Sequence, residues 1–179
     1  MLSVRDSFKN YQFVIAGAPS LSKEFYQKFV DDDVHFVSNK TYDLLKFVDD
    51  DVHFVSNKTY DLLRCSRAAL VTSGTATLET ALLNVPEIVC YRTSKISYEI
   101  GKRVVKNIKF ISLVNLIMDK EVVKELIQNQ LNTQNLVDEL QKILEGPKRD
   151  KMINDYELLR EKLGGKGASN HASEIIVNL

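Results

Sequence analysis

Ala68-Ala69-Leu70-Val71-Thr72-Ser73-Gly74-Thr75-Ala76-Thr77-Leu78-Glu79 is the stretch on which the fold turns. An apolar run fit for a buried strand passes through a Ser-Gly-Thr turn into a helical pattern. Such a junction suits an anion, because the first turn of a helix has N–H groups without partners and the positive end of the dipole, and glycine lets a ligand approach the backbone. Ser73, Gly74, Thr75, Ala76 and Thr77 are therefore candidates to hold a phosphate. Glu79 falls about one turn inside the helix, where its carboxylate could accept hydrogen bonds from the two vicinal hydroxyls of a ribose. A second reading is a plain strand-to-helix connection, with Thr75 as N-cap and Glu79 placed favourably near the dipole. It leaves Glu79 partly unexplained, since a capping box needs Ser or Thr three residues before the acid and position 76 is alanine. One glycine is a weaker mark than a full Gly-x-Gly-x-x-Gly, so the residues alone keep both readings open.

Working outward, the chain alternates helices with short apolar strands. Helices are expected over 2–9, 21–30, around 42–45, from Thr75, and over 96–106, with everything from Glu121 to the end helical. Strands are expected over 12–16, 34–37, 68–72, 87–91 and 110–113. In the helix from Thr75, residues Leu78, Ala81, Leu82 and Val85 share a face that should meet a sheet, and Pro86 ends it. Strands separated by helices imply parallel crossovers, hence an α/β fold with a Rossmann-like parallel sheet and ligands at the carboxyl ends of the strands.

With 179 residues, 44% of them hydrophobic, the chain suits one domain over 1–179. Lys plus Arg and Asp plus Glu number 24 each, so no global field draws nucleic acid or an anionic membrane. Cys65 and Cys90 have no nearby Cys or His at ligand spacing, which points to reduced thiols and a cytoplasmic location. No signal peptide is legible at Met1, and no apolar run approaches the ~20 residues needed to span a bilayer.

Residues Lys28–Leu45 recur without change as Lys46–Leu63, an 18-residue tandem copy carrying one strand and one helix. Stacked repeats need about three units and drift in sequence, so a solenoid is not indicated. One copy is surplus: one should fill the usual strand and the other be extruded or add to an edge.

Other candidates weigh less. The triplets Asp31–Asp33 and Asp49–Asp51 read as solvated turns, since adjacent carboxylates rarely converge on one cation. His35 and His53 are one residue duplicated within an apolar strand and read as packing or surface, His171 has no nucleophile at readable spacing, and Ser73 lacks the Gly-x-Ser-x-Gly elbow of a hydrolase. Arg92, after the strand at 87–91, could reach a diphosphate or form a surface ion pair. Asn115 could face a ligand at the end of a strand or bond its own turn. Gly164-Gly165-Lys166-Gly167 follows no strand and reads as a hinge.

The run from Ser73 to Glu79, continued by Thr80-Ala81-Leu82-Leu83-Asn84-Val85-Pro86 and Val89-Cys90-Tyr91-Arg92-Thr93-Ser94, resembles the donor-binding segment of the lipid-A-disaccharide synthases. Phe13–Pro19, Ser97-Tyr98, Gly101-Lys102-Arg103, Ile111–Ile117, Glu125–Gln128 and Gly167-Ala168-Ser169 are similar to further pieces of the same family, in its order. The resemblance implies the C-terminal half of a GT-B glycosyltransferase, which moves 2,3-diacylglucosamine from UDP-2,3-diacylglucosamine to 2,3-diacylglucosamine 1-phosphate and needs no cofactor or essential metal. By that mapping Ser73 to Thr77 hold the diphosphate, Glu79 the ribose, and Asn115 belongs to the active-site region. The acceptor domain and the catalytic acids would precede Met1, so this chain alone should bind UDP without turnover. Family dimers exchange C-terminal segments, which makes a homodimer an expectation, and lipid substrates make contact with the inner membrane surface another. Asp119-Lys120 stands where many relatives show Gly-Arg, and lysine lacks the bidentate fork of arginine. The rival readings are a non-enzymatic nucleotide-binding module and a UDP-sugar epimerase-type domain.

Overall fold

The computed structural model describes residues 2–17, 25, 34–37, 52–56, 58–72, 74–94, 109–164, 173–174 and 176–177. The helices expected at 42–45 and 96–106, that at 21–30 apart from Phe25, both Asp triplets, Ser73 and His171 lie outside them. The length suggests one domain; the chain divides into two compact units, residues 1–66 and 67–179. Each has a three-stranded sheet whose pairings are all parallel, as the alternation of strands and helices requires.

Residues 1–66 contain α1 (Leu2–Arg5), β1 (Phe13–Gly17), β2 (Val34–Val37), β3 (Val52–Ser56) and α2 (Thr59–Cys65). The sheet order is β1-β3-β2. β2 and β3 are the two copies of the duplicated strand, and they pair residue for residue in register, from Val34↔Val52 to Val37↔Val55. The second copy takes the interior place beside β1, from Phe13↔Val52 to Gly17↔Ser56, and the first adds to the edge. Extrusion of a copy is thus not what happens to this strand. Phe54 and Val55 are buried, and the Phe54 ring stands where a Cβ on Gly17 would have to go, so glycine is required there for close approach. Val4 and Phe8 are buried as well, and Phe8 meets Tyr11 edge-on with ring centroids 6.4 Å apart.

Residues 67–179 contain β4 (Ala69–Val71), α3 (Thr75–Leu82), β5 (Glu87–Tyr91), α4 (Leu113–Met118), β6 (Lys124–Ile127), a 3-10 turn at Gln128–Gln130, α5 (Thr133–Leu144) and α6 (Pro147–Lys162). Sheet order is β4-β5-β6. Ile88, Val89 and Leu126 are buried within the sheet and Val123 just before β6; Leu136, Leu140, Ile143 and Leu144 of α5, and Met152, Tyr156 and Leu159 of α6, are buried at helical spacing. The last turn of α6 closes two other helices, since Arg160 donates to Leu82 O and Asn84 Oδ1 and Lys162 donates to Ile117 O, satisfying carbonyls that helix ends leave free.

Three expectations need correction. Residues 110–113 form no strand: Ser112 caps α4, its Oγ accepting from Asn115 N, and Leu113 begins the helix. The region after Glu121 is not wholly helical, because Lys124–Ile127 joins the sheet beside β5, and tertiary pairing overrides a helical pattern. The buried positions of α3 are Thr77, Thr80 and Ala81, while Leu82 is 38% exposed. Thr77 Oγ1 donates to Gly74 O and Thr80 Oγ1 to Ala76 O, and a hydroxyl satisfied by its own helix can be buried at little cost.

Glu87 opens β5 completely buried, and among the described residues neither carboxylate oxygen has a hydrogen-bond partner; the buried Tyr156 hydroxyl of α6 has none either. Burial pushes the Glu87 carboxyl well above the usual carboxylate range, and burial, then the charge of Glu87, pushes the Tyr156 hydroxyl up.

Removing residues 28–45 takes away the edge copy, leaves β3 its place, and keeps more than the dozen or so residues a parallel crossover needs. The shortened chain is expected to unfold in one transition in denaturant and to lose only the edge pairs, each worth roughly 0.2–1 kcal/mol. Failure to fold would show that the first copy is integral. At Glu87 the folded group keeps its proton where the unfolded one has released it, so its contribution to stability falls as pH rises above the unfolded value near 4.5. Denaturant titrations from pH 5 to 8 should therefore show Glu87→Gln gaining on the parent by up to about 1.4 kcal/mol per pH unit. A difference flat in pH would refute the buried neutral acid.

Candidate functional site

The carboxyl ends of β4 and β5 define the site. The two strands are hydrogen-bonded neighbours in register up to Val71↔Val89, about 4.8 Å apart, and Gly74 and Arg92 both follow their carboxyl ends. Gly74 is the N-cap of α3, with φ 124° and ψ −163°, a conformation essentially closed to residues with a side chain. Nothing lies within 4 Å of where its Cβ would be, so the backbone, not crowding, demands glycine. Among the described residues no side chain caps α3. The amides of Thr75 and Ala76 make no hydrogen bond among the described residues, and Gly74, Thr75 and Ala76 are exposed. Among the described residues nothing covers the mouth of the helix, where the positive end of its dipole lies.

Glu79 lies one turn deeper and half-buried, and among the described residues its carboxylate has no hydrogen-bond or ion-pair partner. Arg92 is exposed and its guanidinium likewise lacks a partner among those residues. Ser73 falls outside them. Thr77 is placed differently from the sequence expectation: it is fully buried, and both its amide and its hydroxyl turn back to Gly74 O, at 3.2 and 2.9 Å. It ties the turn from within and presents no hydroxyl to a ligand.

Asn115 is also turned inward. It is fully buried; Nδ2 donates to Val123 O at 2.8 Å and Glu125 Oε1 at 2.9 Å, and Oδ1 accepts from Val122 N and Val123 N at 2.8 and 2.9 Å. Two donors and two acceptor sites are the whole capacity of the side chain, so none is left for a ligand. Its partner Glu125 accepts as well from Ile111 N, Ser112 N and Ser112 Oγ, at 2.9 Å or 3.1 Å. Asp119, at the carboxyl end of α4, has φ 50°, a left-handed conformation that suits glycine best. Lys120 is held by Asp155 at 2.6 Å, and Lys151 contacts the other oxygen of the same carboxylate at 2.7 Å. Burial alone would raise the Asp155 carboxyl, but the hydrogen bonds and charges of the two lysines outweigh it and hold it below the usual range. Lys120 therefore serves the fold.

Sequence reasoning missed Gln128. Its side chain donates Nε2 to Thr93 O at 3.1 Å and accepts Thr93 N on Oε1 at 3.3 Å, tying the segment that carries Arg92 to the end of β6. Nothing in periodicity or composition marks it, because the contact depends on β5 and β6 being neighbours. Burial pushes the Cys90 thiol up to about 11, so it is a poor nucleophile. Among the described residues no three His, Cys, Asp or Glu side chains gather as metal ligands, and no helix is long and apolar enough to cross a membrane.

Residues 10–178 match the family model described as lipid-A-disaccharide synthetase. The chain is 44% identical over 113 residues to a lipid-A-disaccharide synthase of Syntrophus aciditrophicus strain SB, covering 63% of this chain and 29% of the relative. It is 36% identical over 115 residues to that of Myxococcus xanthus strain DK1622, covering 64% and 30%, and 41% identical over 105 residues to that of Acidobacterium capsulatum, covering 58% and 26%. The matched segments thus span less than a third of those relatives.

The inward role of Asn115 has a direct consequence. Asn115→Ala strands two buried amides, a carbonyl and part of the Glu125 carboxylate, and should lower unfolding free energy by about 3–5 kcal/mol in urea titrations. A loss under about 1 kcal/mol would mean that the network does not hold this part of the fold.

Proposed function

The chain belongs to the lipid-A-disaccharide synthetase family, and from that membership and the mouth of α3 we propose that it is the donor-binding portion of a glycosyltransferase. In this reading the enzyme transfers 2,3-diacylglucosamine from UDP-2,3-diacylglucosamine to 2,3-diacylglucosamine 1-phosphate and releases UDP. The observation that carries it is that the Thr75 and Ala76 amides, which no described residue bonds, and the exposed Arg92 both follow the carboxyl ends of the neighbouring strands β4 and β5, with the Glu79 carboxylate one turn deeper in α3. The amides and Arg92 meet the diphosphate; Glu79 accepts from the ribose hydroxyls. Ser73 adjoins the same turn in sequence and joins the diphosphate set; Thr77 supports it from behind, and Asn115 holds the neighbouring crossover.

The chemistry asked of these groups is electrostatic. Breaking the glycosidic bond to UDP builds negative charge on the diphosphate, and donors already aimed at that charge lower the barrier without reorganising. The amides are fixed by the backbone at Gly74, so they supply this at no ordering cost. The acceptor lipid and the base that activates its hydroxyl belong, in this reading, to the longer enzyme represented by the relatives, and the chain by itself binds UDP without turnover. A cytoplasmic site of action, at the membrane surface that presents the lipid substrates, and a homodimer belong to the same proposal.

Calorimetric titration of UDP into the chain tests it. Millimolar or tighter binding is expected, and Glu79→Ala, which removes a charged acceptor of two hydrogen bonds, should weaken it roughly tenfold or more, about 1.5–3 kcal/mol. Absence of heat with the parent chain, or equal affinity for the variant, would sink the donor-site reading.

A further inference from the structure

We propose that Gln128 is a positioning residue that aims Arg92 at the diphosphate of a nucleotide seated on the mouth of α3; this rests on the donor site proposed above. β5 and β6 pair in parallel as far as Tyr91↔Ile127. At the next residue the β6 backbone turns away: Gln128 takes φ 52°, in the left-handed region that residues other than glycine seldom occupy, and starts the 3-10 turn. The ladder does not end there, because the side chain of Gln128 replaces the lost backbone. Its amide donates to Thr93 O at 3.1 Å and accepts from Thr93 N at 3.3 Å, so both backbone groups of Thr93 are held from one side.

Arg92 is the residue just before that rung. Its side chain is exposed and has no partner of its own among the described residues, so nothing described there orients the guanidinium directly. A free arginine carries about 2 kcal/mol of rotamer entropy, and fixing its Cα and the peptide that follows removes part of the freedom to be lost on binding. The neighbouring Gly74 turn is held by its own backbone conformation and by Thr77. Among the described residues the Arg92 side has no such local device, and Gln128 supplies one from the end of β6. A primary amide is needed for the role: glutamate of the same length can accept from Thr93 N but cannot donate to Thr93 O, and asparagine is one methylene shorter.

The test is a double-mutant cycle on UDP affinity, using the parent chain, Arg92→Ala, Gln128→Ala and the double variant, with uridine as a ligand that lacks phosphates. Arg92→Ala and Gln128→Ala are each expected to weaken UDP roughly five- to tenfold, while the double variant binds no worse than Arg92→Ala and uridine affinity is unchanged by Gln128→Ala. If Gln128→Ala weakens UDP by the same factor with Arg92 already gone, or weakens uridine as much as UDP, Gln128 acts through the sheet at large and the proposal is overturned. Should Gln128→Ala fail to fold, Gln128→Glu keeps the length, removes the donor, and must give the same pattern. A parent chain that does not bind UDP overturns the donor site and this proposal with it, whereas a parent that binds while the cycle is additive overturns this proposal alone.

Discussion

The buried carboxylate of Glu125 is the constraint on which the 67–179 unit depends. A parallel third strand can be added only after the chain has crossed over and returned, and the return must be fastened so that the strand enters in one register. Glu125 fastens it from within β6, accepting from Ile111 N, Ser112 N and Ser112 Oγ at the entrance of α4 and from Asn115 Nδ2 inside it. Asn115 completes the lattice by binding Val122 and Val123 just before the strand. Each member satisfies another, which is the condition under which a polar network can be buried without penalty. With β6 so placed, Gln128 comes level with Thr93, and the geometry of the candidate site follows.

The same network explains which parts of the fold were legible in the sequence. β4, the Gly74 turn, the start of α3 and β5 rest on short-range signals, and their expected positions lie within a residue or two of the observed ones. Phe110–Leu113 reads as a strand because its apolar residues are suited to one, yet Ser112 caps a helix there and Glu125 holds both of its polar groups. Glu121–Ile127 reads as a helix, yet β5 offers it an open edge to pair with. In each case the deciding partner is more than ten residues away or on another strand, beyond the reach of a periodic pattern. Side-chain direction was similarly hidden. Thr77 and Asn115 are candidates in the sequence, but their polar atoms are taken up by Gly74 O and by the Val122–Val123 backbone and Glu125.

The tandem copies show the limit of local sequence in its cleanest form. Val34–Val37 and Val52–Val55 are identical, and one is an edge strand while the other lies between two neighbours. No property of the four residues assigns those places, so position must come from context. β1 prefers the copy that leads directly into α2, and Gly17 leaves room for Phe54 there. The two identical strands pair in register, from Val34↔Val52 to Val37↔Val55.

Electrostatics at the site follows from a chain with no net charge, in which attraction for an anion has to be built locally. Lys120 is engaged by Asp155. In the proposed site the carboxyl ends of β4 and β5 offer the dipole of α3 with two amides that no described residue bonds, which are fixed but only partly charged, and Arg92, which carries a full charge on a flexible side chain. The two sources are complementary. Fixed amides give direction, and a guanidinium gives charge and a bidentate fork, but the fork helps a developing charge only if it is already near where that charge appears. A side-chain rung from Gln128 to the backbone next to Arg92 meets that requirement while leaving the guanidinium itself uncommitted to any described residue.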